Sequence, residues 1–370
     1  MSQKGNRLDA TLANVLCRRS SCNQLRSLAT VPSNAVDLAS NVYLYLSAQP
    51  TVQRAFLAGL HAAAASREPQ CSLLGSGGSR LLDGKLAACR AAGGYHRRLR
   101  PAAGGCGLYN ELIHASVHDG IRLSRARWTV LFRHSCPEGV LFQSGERNVF
   151  VAVEGLLYSI NSDLPPLYEI IDYIERKPPQ RKGYIVVDEA HSMGIFGDPG
   201  CGLARVLGFG KAIGCAGGII LCSPTAHTYL INYTRTLIYT TAIGLPSLAT
   251  IEATYDCLIT SQEEPLLQYL HFLIYEIYKL FLTLYNSQNR SPKLFRVSTE
   301  EPRSPIIPKW YIVRPIVAPT VPKGSERLRV CLHAGNSIAE VEALVKAVEA
   351  WLVAGKAGIG GGRRSGRGRC

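Results

Sequence analysis

Three residues in the middle of the chain have side chains suited to cofactor chemistry. Asp188 and His191 lie in YIVVDEAHSMGIFG at residues 184–197, and Lys211 lies among small residues in GFGKAIG at residues 208–214. A lysine with little bulk around it can reach a bound carbonyl, as covalent attachment of pyridoxal 5′-phosphate (PLP) requires. Asp188 would keep the pyridine nitrogen protonated, and the cationic ring would then draw electrons from a substrate α-carbon. His191 can hydrogen-bond the phenolic oxygen of the same ring.

Each of these residues also has a structural explanation, and DEAH has a second functional one. An aspartate at a strand end commonly caps a helix, and a lysine between glycines commonly lies in a solvated loop. A DEAH helicase needs a phosphate-binding GxxxxGK[ST] loop before the motif. The chain has no such loop, and GFGKAIG has alanine after its lysine and follows DEAH. The sequence therefore argues against a helicase and leaves cofactor chemistry and structural roles as alternatives.

The elements that must position these residues follow an alternating pattern. Strands are predicted at Asn148–Val153, Tyr184–Val187 and Gly218–Leu221, and strand and helix signals alternate between about Val36 and Ile259. This alternation predicts an α/β fold, with a mainly parallel sheet covered by helices on both faces. Asp188 and His191 would then follow the carboxyl end of a buried strand, where open α/β sheets bind ligands.

The two ends of the chain have different patterns. Residues 8–30 have helical spacing of Leu and Ala, which favours an amphipathic first helix, although a mitochondrial presequence is similar. Residues 266–285 are apolar but carry Glu276 and Lys279, so a partly buried helix is favoured over a membrane span. After a Pro-rich connection at 301–308, the remaining strand and helix signals predict a small α+β unit.

Composition limits the function classes. The chain has 370 residues, 46% of them hydrophobic, and a net charge of +14, of which ten positive charges lie in the acid-poor stretches 85–100 and 356–369. These stretches are rich in Gly and Ala, so they indicate loops, and an RNA-binding tail is the weaker alternative. The twelve cysteines form no CxxC pair or zinc-type spacing. We therefore expect reduced thiols, no metal site and a cytoplasmic location, with mitochondria or peroxisomes as alternatives.

The chain resembles the α-oxoamine synthases, PLP enzymes of the aminotransferase class I/II superfamily. The resemblance spans most of the chain in the family's order, through seven segments: DLASNVYLYLS at 37–47, GSGGSRLLDG at 75–84, YNELIHASVHDGIRLSRA at 109–126, VDEAHSMGIFG at 187–197, GKAIGCAGGIILCS at 210–223, YLINYTRTLIYTTA at 229–242 and VRPIVAPTVPKGSERLRVCL at 313–332. It implies the PLP-dependent transferase fold of type I, with a large parallel-sheet domain and a small α+β C-terminal domain.

The resemblance also implies domain limits, an activity and an assembly. The limits are 1–47 for an N-terminal helix and small-domain segment, 48–260 for the PLP-binding domain, 261–353 for the small domain and 354–370 for a basic tail. The activity is condensation of an amino acid, with alanine favoured, and an acyl-CoA with decarboxylation. A homodimer without a membrane anchor is expected.

Five residues match positions around the cofactor ring in the family. Lys211 matches the attachment lysine, Asp188 the partner of the pyridine nitrogen and His191 the residue on the phenolic oxygen. His114 in IHAS matches the histidine that stacks on the ring. Ser159 in LLYS matches a serine beside the cofactor.

Four further residues match phosphate and substrate contacts. Thr240 and Thr241 match the position from which one subunit reaches the phosphate in its neighbour. Asn41 and Arg329 match substrate contacts, and an arginine suits bidentate binding of an amino acid carboxylate.

The chain departs from the family pattern where the phosphate would bind. Residues 85–107, predicted as neither helix nor strand, replace a helix, a strand and a Ser-Gly-Phe loop, and Gly208 replaces a phosphate-binding threonine. Roughly ten residues before the lysine loop are also absent relative to the family pattern. We therefore expect part of the large domain to be degraded and cofactor binding to be weakened. A catalytically impaired remnant or defective gene model is one alternative hypothesis, and a basic nucleic-acid-associated protein is another.

Overall fold

A four-stranded parallel sheet forms the centre of the fold. In this computed structural model the strands are β1 Cys106–Asn110, β2 Trp128–Phe132, β3 Val149–Glu154 and β4 Gly183–Asp188, in the order β2-β1-β3-β4. The structure describes residues 7–21, 25, 35–66, 73–75, 78, 106–110, 113–124, 126–132, 148–155, 167–176, 183–197, 206–287, 306–308, 315–316 and 327–358. The predicted mainly parallel sheet is therefore confirmed.

The residues at 85–107 correct one expectation. Cys106 and Gly107 begin β1 and pair with both β2 and β3, so this segment ends in a strand. The residues at the start of β1 do not have a strand pattern, because glycine is depleted in strands. Pairing with the neighbouring strands β2 and β3 makes them a strand. The rest of the segment, 85–105, lies outside the described residues.

Helices connect and cover the parallel strands. The helix α3, Ala115–Arg122, connects β1 and β2, and α4, Leu167–Arg176, lies between β3 and β4. Two helices lie elsewhere: α1 Arg7–Ser21 and α2 Pro50–Ala65. A Cβ on Gly183 would collide with Ile174 Cγ2, so α4 packs closely on the start of β4. Parallel strands need such crossover connections.

A β-hairpin and three helices follow the sheet. The strands β5 Val206–Gly208 and β6 Gly218–Ile220 pair antiparallel, with β6 one residue shorter than predicted. The helices are α5 Pro224–Tyr233, α6 Arg235–Ile238 and α7 Leu245–Ile259. The long helix α7 packs against α2 and buries an apolar face with Leu248 and Ile251.

The C-terminal part is an α+β unit, as predicted. The helix α8, Glu264–Asn286, buries an apolar face and packs against α9, Ile338–Gly358. A small antiparallel sheet has the order β7-β9-β8, formed by β7 Ile306–Pro308, β8 Pro315–Ile316 and β9 Arg327–Cys331. The Pro-rich connection therefore ends in a strand. No helix within the described residues is long and apolar enough to cross a membrane.

The chain divides into two compact units, Met1–Val36 and Asp37–Cys370. The first contains α1, whose leucines Leu8, Leu12 and Leu16 are exposed. Within the second, one apolar core includes Leu44, Met193, Phe209, Val330 and Leu344. This core joins the segment after Val36 to the β5–β6 hairpin and to the C-terminal elements. The domain limits expected from the sequence, 1–47, 48–260, 261–353 and 354–370, stay a prediction.

A glycine in this core generates a stability prediction. Gly194 has a φ of +81°, and a Cβ there would lie 2.9 Å from Ala212 Cβ. Gly194→Ala should therefore lower the free energy of unfolding by about 2–4 kcal/mol, through left-handed strain and overpacking. Guanidinium denaturation followed by circular dichroism measures this loss.

The matched control is Gly59→Ala in α2. A Cβ at position 59 would make ordinary contact, 3.7 Å from Ala249 Cβ. Because alanine is the better helix former, this substitution should raise stability by about 0.5–1 kcal/mol. Equal effects of the two substitutions would contradict the packing described for Gly194.

Candidate functional site

The carboxyl ends of β3 and β4 place two carboxylates next to each other. Glu154 pairs with Asp188 in the parallel register. Ala190 N donates to Asp188 Oδ1 at 3.0 Å, and Gly155 N donates to the Asp188 carbonyl at 2.8 Å. Within the described part of the chain the Asp188 carboxylate accepts one hydrogen bond, on Oδ1, so a cationic ring N–H can bind Oδ2.

His191 lies in the turn that follows β4 and is almost completely buried. Its Nδ1 lies 2.6 Å from Tyr43 Oη, and the tyrosine ring is fully buried. Sequence reasoning missed Tyr43, although it lies in DLASNVYLYLS, one of the segments that resembles the family. The imidazole position is therefore set by a residue far away in sequence.

A second buried pair lies beside Asp188. Ser192 Oγ donates to Glu189 Oε2, and both residues are completely buried. A Cβ on residue 155 would lie 2.7 Å from Glu189 Oε2 and 2.9 Å from Ser192 Oγ. Gly155 is therefore needed for the end of β3 to approach this pair.

His114 is connected to the same sheet edge through Glu154. It caps α3 by accepting from Ser116 N with Nδ1 at 3.2 Å, and its own backbone N donates to Glu154 Oε1 at 2.7 Å. The Glu154 side chain is buried. Glu154 was also missed by sequence reasoning, and its signal is a charged residue at the end of an apolar strand.

Lys211 lies in the turn of the β5–β6 hairpin. Phe209 N donates to the Gly217 carbonyl at 3.0 Å, and Gly214 N donates to the Lys211 carbonyl at 2.8 Å. Gly214 has a φ of +67°, which a residue with a side chain rarely adopts. The half-buried lysine thus projects from a turn with fixed backbone geometry.

The lysine turn packs against the turn that carries His191. Ala212, next to Lys211, lies against Gly194, as the close approach to that glycine requires. Cys215 Sγ donates to the Ser247 carbonyl at 3.4 Å. Burial raises the pKa of the Cys215 thiol, so it remains a protonated donor. These contacts bring the hairpin, α7 and the His191 turn together.

Asn41 lies between Tyr43 and the C-terminal strand β9. Its Oδ1 accepts from Cys331 Sγ at 3.5 Å and lies 3.4 Å from Tyr43 Oη. Arg329 precedes Cys331 by two residues and pairs with Pro308, while its side chain lies outside the described residues. The structure therefore places the two predicted substrate residues on adjacent segments.

The start of this segment is anchored at Asp37. The Asp37 carbonyl accepts from His333 Nε2 at 2.8 Å and from Asn336 Nδ2 at 3.0 Å. Burial alone would raise the pKa of the Asp37 carboxyl. Hydrogen bonds from Ser40 and Ala39, together with the nearby His333, outweigh burial, so the pKa lies below its ordinary value. The segment is thus held in place by polar contacts at its first residue.

The remaining predicted residues are exposed or lie outside the described residues. Thr240 and Thr241 are exposed after α6, and the next residue, Ala242, donates from its backbone N to the Gly78 carbonyl at 2.9 Å. Ser159 lies outside the described residues. No group of three or more His, Cys, Asp or Glu in the described part could hold a metal ion.

Comparison with known proteins identifies the family. The model of the family "Aminotransferase class I and II" matches residues 163–348. The 8-amino-7-oxononanoate synthase of Emericella nidulans is 37% identical over 400 aligned residues, which cover 92% of this chain and 95% of that protein. The chain belongs to the aminotransferase class I and II family. The aminoacyl transferase sphA of Aspergillus fumigatus is 29% identical and covers 84% of this chain and 80% of its own length.

Two solved structures have the same fold as this chain. Serine palmitoyltransferase of Sphingomonas wittichii superposes with a TM-score of 0.73 at 20% identity, covering 94% of this chain and 98% of its own. The 8-amino-7-oxononanoate synthase of Francisella tularensis gives 0.60 at 19% identity, covering 88% and 100%. The predicted PLP-dependent transferase fold is therefore confirmed, and the chain is a PLP-dependent acyltransferase of the α-oxoamine synthase type.

The residues present fit the ring of this cofactor. The strand end offers an Asp188 oxygen for the ring nitrogen, His191 is buried three residues later, and Lys211 lies in the turn that packs against the His191 turn. Residues 85–105, which replace the phosphate-binding loop of the family, lie outside the described residues. The residues named here therefore fit the ring of the cofactor, and its phosphate is not part of this comparison.

The link between Glu154 and His114 generates a second prediction. Glu154→Ala should lower the free energy of unfolding by about 1–3 kcal/mol, because it removes the acceptor of the His114 N–H inside the protein. Chemical denaturation measures this loss. The control is Glu342→Ala, an exposed glutamate on α9, which should change stability by less than about 0.5 kcal/mol. Equal losses would show that the His114 bond does not stabilise the fold.

Proposed function

We propose that the protein condenses alanine with an acyl-CoA of the pimeloyl-CoA type, with decarboxylation, as in biotin biosynthesis. The observation that carries the choice of reaction is the 37% identity to an 8-amino-7-oxononanoate synthase across 92% of the chain. The packing of Asp188, His191 and Lys211 into one region supports the same reaction.

The atoms of this reaction balance without an oxidant. A bond forms between the amino acid α-carbon and the acyl carbonyl carbon, while the thioester C–S bond breaks and coenzyme A leaves as a thiol. The α-carboxylate leaves as carbon dioxide, and a proton replaces it on the α-carbon. Bound PLP supplies the electron sink that makes the α-carbon nucleophilic.

The chain's own residues would hold the cofactor and move the proton. Lys211 would attach the cofactor and remove the α-proton, because it is the amine on the turn that packs against the His191 turn. The Asp188 carboxylate would accept from the ring N–H, and His191 would donate to the phenolic oxygen. His114 and Ser159 would contact the ring itself.

The substrate carboxylate would lie beside β9. Arg329 suits bidentate binding of that group, and Asn41, held by Cys331 Sγ from the same strand, would contact the substrate from the opposite segment. The acyl chain would extend away from these charged groups, since an apolar chain gains little beside ionised side chains.

Cofactor attachment tests the assignment of Lys211. Borohydride reduction makes the link between lysine and cofactor permanent, so mass spectrometry of wild-type peptides should find the cofactor on the peptide with residue 211. Lys211→Ala should remove this signal completely. Lys279→Ala is the matched control, because that lysine pairs with Glu276 on the exposed face of α8. A labelled peptide elsewhere in the Lys211 variant would overturn the assignment.

Turnover tests the reaction separately. Wild-type protein with PLP should release coenzyme A from pimeloyl-CoA when alanine is added, and more slowly with serine or glycine. Lys211→Ala should lower this rate by at least about 10²–10⁴, the usual contribution of a positioned acid–base group. Cofactor attachment without any amino-acid-dependent thiol release would favour the impaired remnant instead.

We also propose a homodimer in which Thr240 and Thr241 contact the phosphate in the neighbouring subunit. Both threonines are exposed, and they follow an exposed aromatic surface formed by the stacked pair Tyr229 and Tyr233 and by Tyr239. Exposed apolar surfaces of this kind are typical of protein–protein contacts.

Mixing of inactive subunits tests this arrangement. A dimer of Lys211→Ala with the double variant Thr240→Ala/Thr241→Ala has one site with both wild-type groups only if the threonines act across the interface. A 1:1 mixture should then regain about a quarter of wild-type activity, since about half of the dimers are mixed. The control mixture of Lys211→Ala with Asp188→Asn should regain almost no activity, because both residues act within one subunit and neither site of the mixed dimer is intact. No recovery in the first mixture would contradict the proposal.

A further inference from the structure

We propose that Tyr43 is a positioning residue that fixes the tautomer of His191, with the proton on Nε2. The role of this N–H toward the cofactor ring rests on the proposed function. The tautomer itself is a property of the protein alone and follows from the hydrogen bonds around the Tyr43 hydroxyl.

The distances decide which group donates. A tyrosine hydroxyl has one proton, and Tyr43 Oη lies 2.6 Å from His191 Nδ1 and 3.4 Å from Asn41 Oδ1. The longer distance is outside the usual range of O–H···O hydrogen bonds, and the shorter one is below the usual range of N–H···O hydrogen bonds. Tyr43 O–H therefore donates to His191 Nδ1.

The proton on the other imidazole nitrogen follows from this bond. In a neutral imidazole one nitrogen is the acceptor and the other carries the hydrogen. With Nδ1 accepting from Tyr43, the hydrogen lies on Nε2, so His191 presents a donor there. A donor at Nε2 suits an anionic oxygen such as the phenolic oxygen of the cofactor, whereas the opposite tautomer would present a lone pair and repel it.

The tyrosine is well placed for this role because its own position is fixed. Its ring is fully buried, and its backbone carbonyl accepts from Ala334 N at 2.8 Å. Both phenylalanine and tyrosine would fill this space, but only tyrosine has a hydroxyl that can donate to His191. Tyr43→Phe therefore removes the donor and leaves the ring.

Nitrogen NMR of the cofactor-free protein tests the tautomer directly. Histidine is labelled with ¹⁵N, long-range ¹H–¹⁵N spectra are recorded, and the signal lost in His191→Gln is assigned to His191. The neutral wild-type ring should show a protonated Nε2 and an unprotonated Nδ1. In Tyr43→Phe the signal should shift toward the average of both tautomers.

The control is Tyr45→Phe, which removes a hydroxyl two residues away. Tyr45 stacks on His333 with ring centroids 5.1 Å apart and has no hydrogen bond from its hydroxyl among the described residues. This variant should leave the His191 signal unchanged. A wild-type ring protonated at Nδ1, or a Tyr43→Phe spectrum identical to wild type, would overturn the proposal.

The cofactor-bound protein then separates this inference from the proposed function. If both hold, Tyr43→Phe should shift the absorbance maximum of bound PLP, and Tyr45→Phe should not. A shifted NMR signal in the cofactor-free variant, together with no binding of PLP by any form of the protein, would support the tautomer and contradict the proposed function. An unshifted NMR signal in Tyr43→Phe, together with normal PLP binding, would contradict the tautomer and leave the proposed function supported.

Discussion

The hydrogen bond between Tyr43 and His191 joins residues 148 positions apart, and the arrangement of the candidate site depends on the packing that permits it. The segment that carries Tyr43 also places Leu44 against Gly194 and Ser47 against Gly214. It is anchored at the other side by Cys331 N, which donates to the Leu38 carbonyl at 2.8 Å. Because a buried polar group is costly without a partner, this polar contact and the apolar core around it stabilise one another.

The parallel register of β3 and β4 is the second constraint. It aligns Glu154 with Asp188. The Glu154 carboxylate accepts from His114 N in the loop after β1, and the Asp188 carboxylate accepts from Ala190 N in the turn after β4. Backbone donors thus help to orient both carboxylates. The loops after two different strands are consequently positioned by the same sheet edge, as is usual for ligand sites in open α/β sheets.

Glycines allow the loops to approach this edge. Gly155 leaves room for the buried Glu189–Ser192 pair, and Gly194 leaves room for Ala212 beside the lysine. Both positions are single residues at which one added carbon would collide with a neighbour. The site thus combines fixed polar contacts with backbone segments that lie unusually close together, and closely packed protein interiors tolerate such added atoms poorly.

Part of this organisation could be predicted from the sequence. Tyr184–Val187 is a β-branched apolar run, and such local patterns identify a buried strand and place Asp188 and His191 at its end. The polar and charged residues that interrupt α8 also indicated a partly buried helix rather than a membrane span. Resemblance to the family then associated Lys211 and His114 with the same site, although spacing alone left their roles open.

The tertiary structure decided which distant residues complete the site. Glu154 contacts His114 and Tyr43 contacts His191 only because strand register and core packing bring separate segments together. The strand β1 begins with Cys106 and Gly107, whose local preference is not for a strand, because its neighbours β2 and β3 supply the pairing. The sequence by itself determined the local elements and the residue types able to do chemistry. Their partners were decided by the fold, since hydrogen bonds and close contacts between distant segments leave no periodic signal in a single sequence.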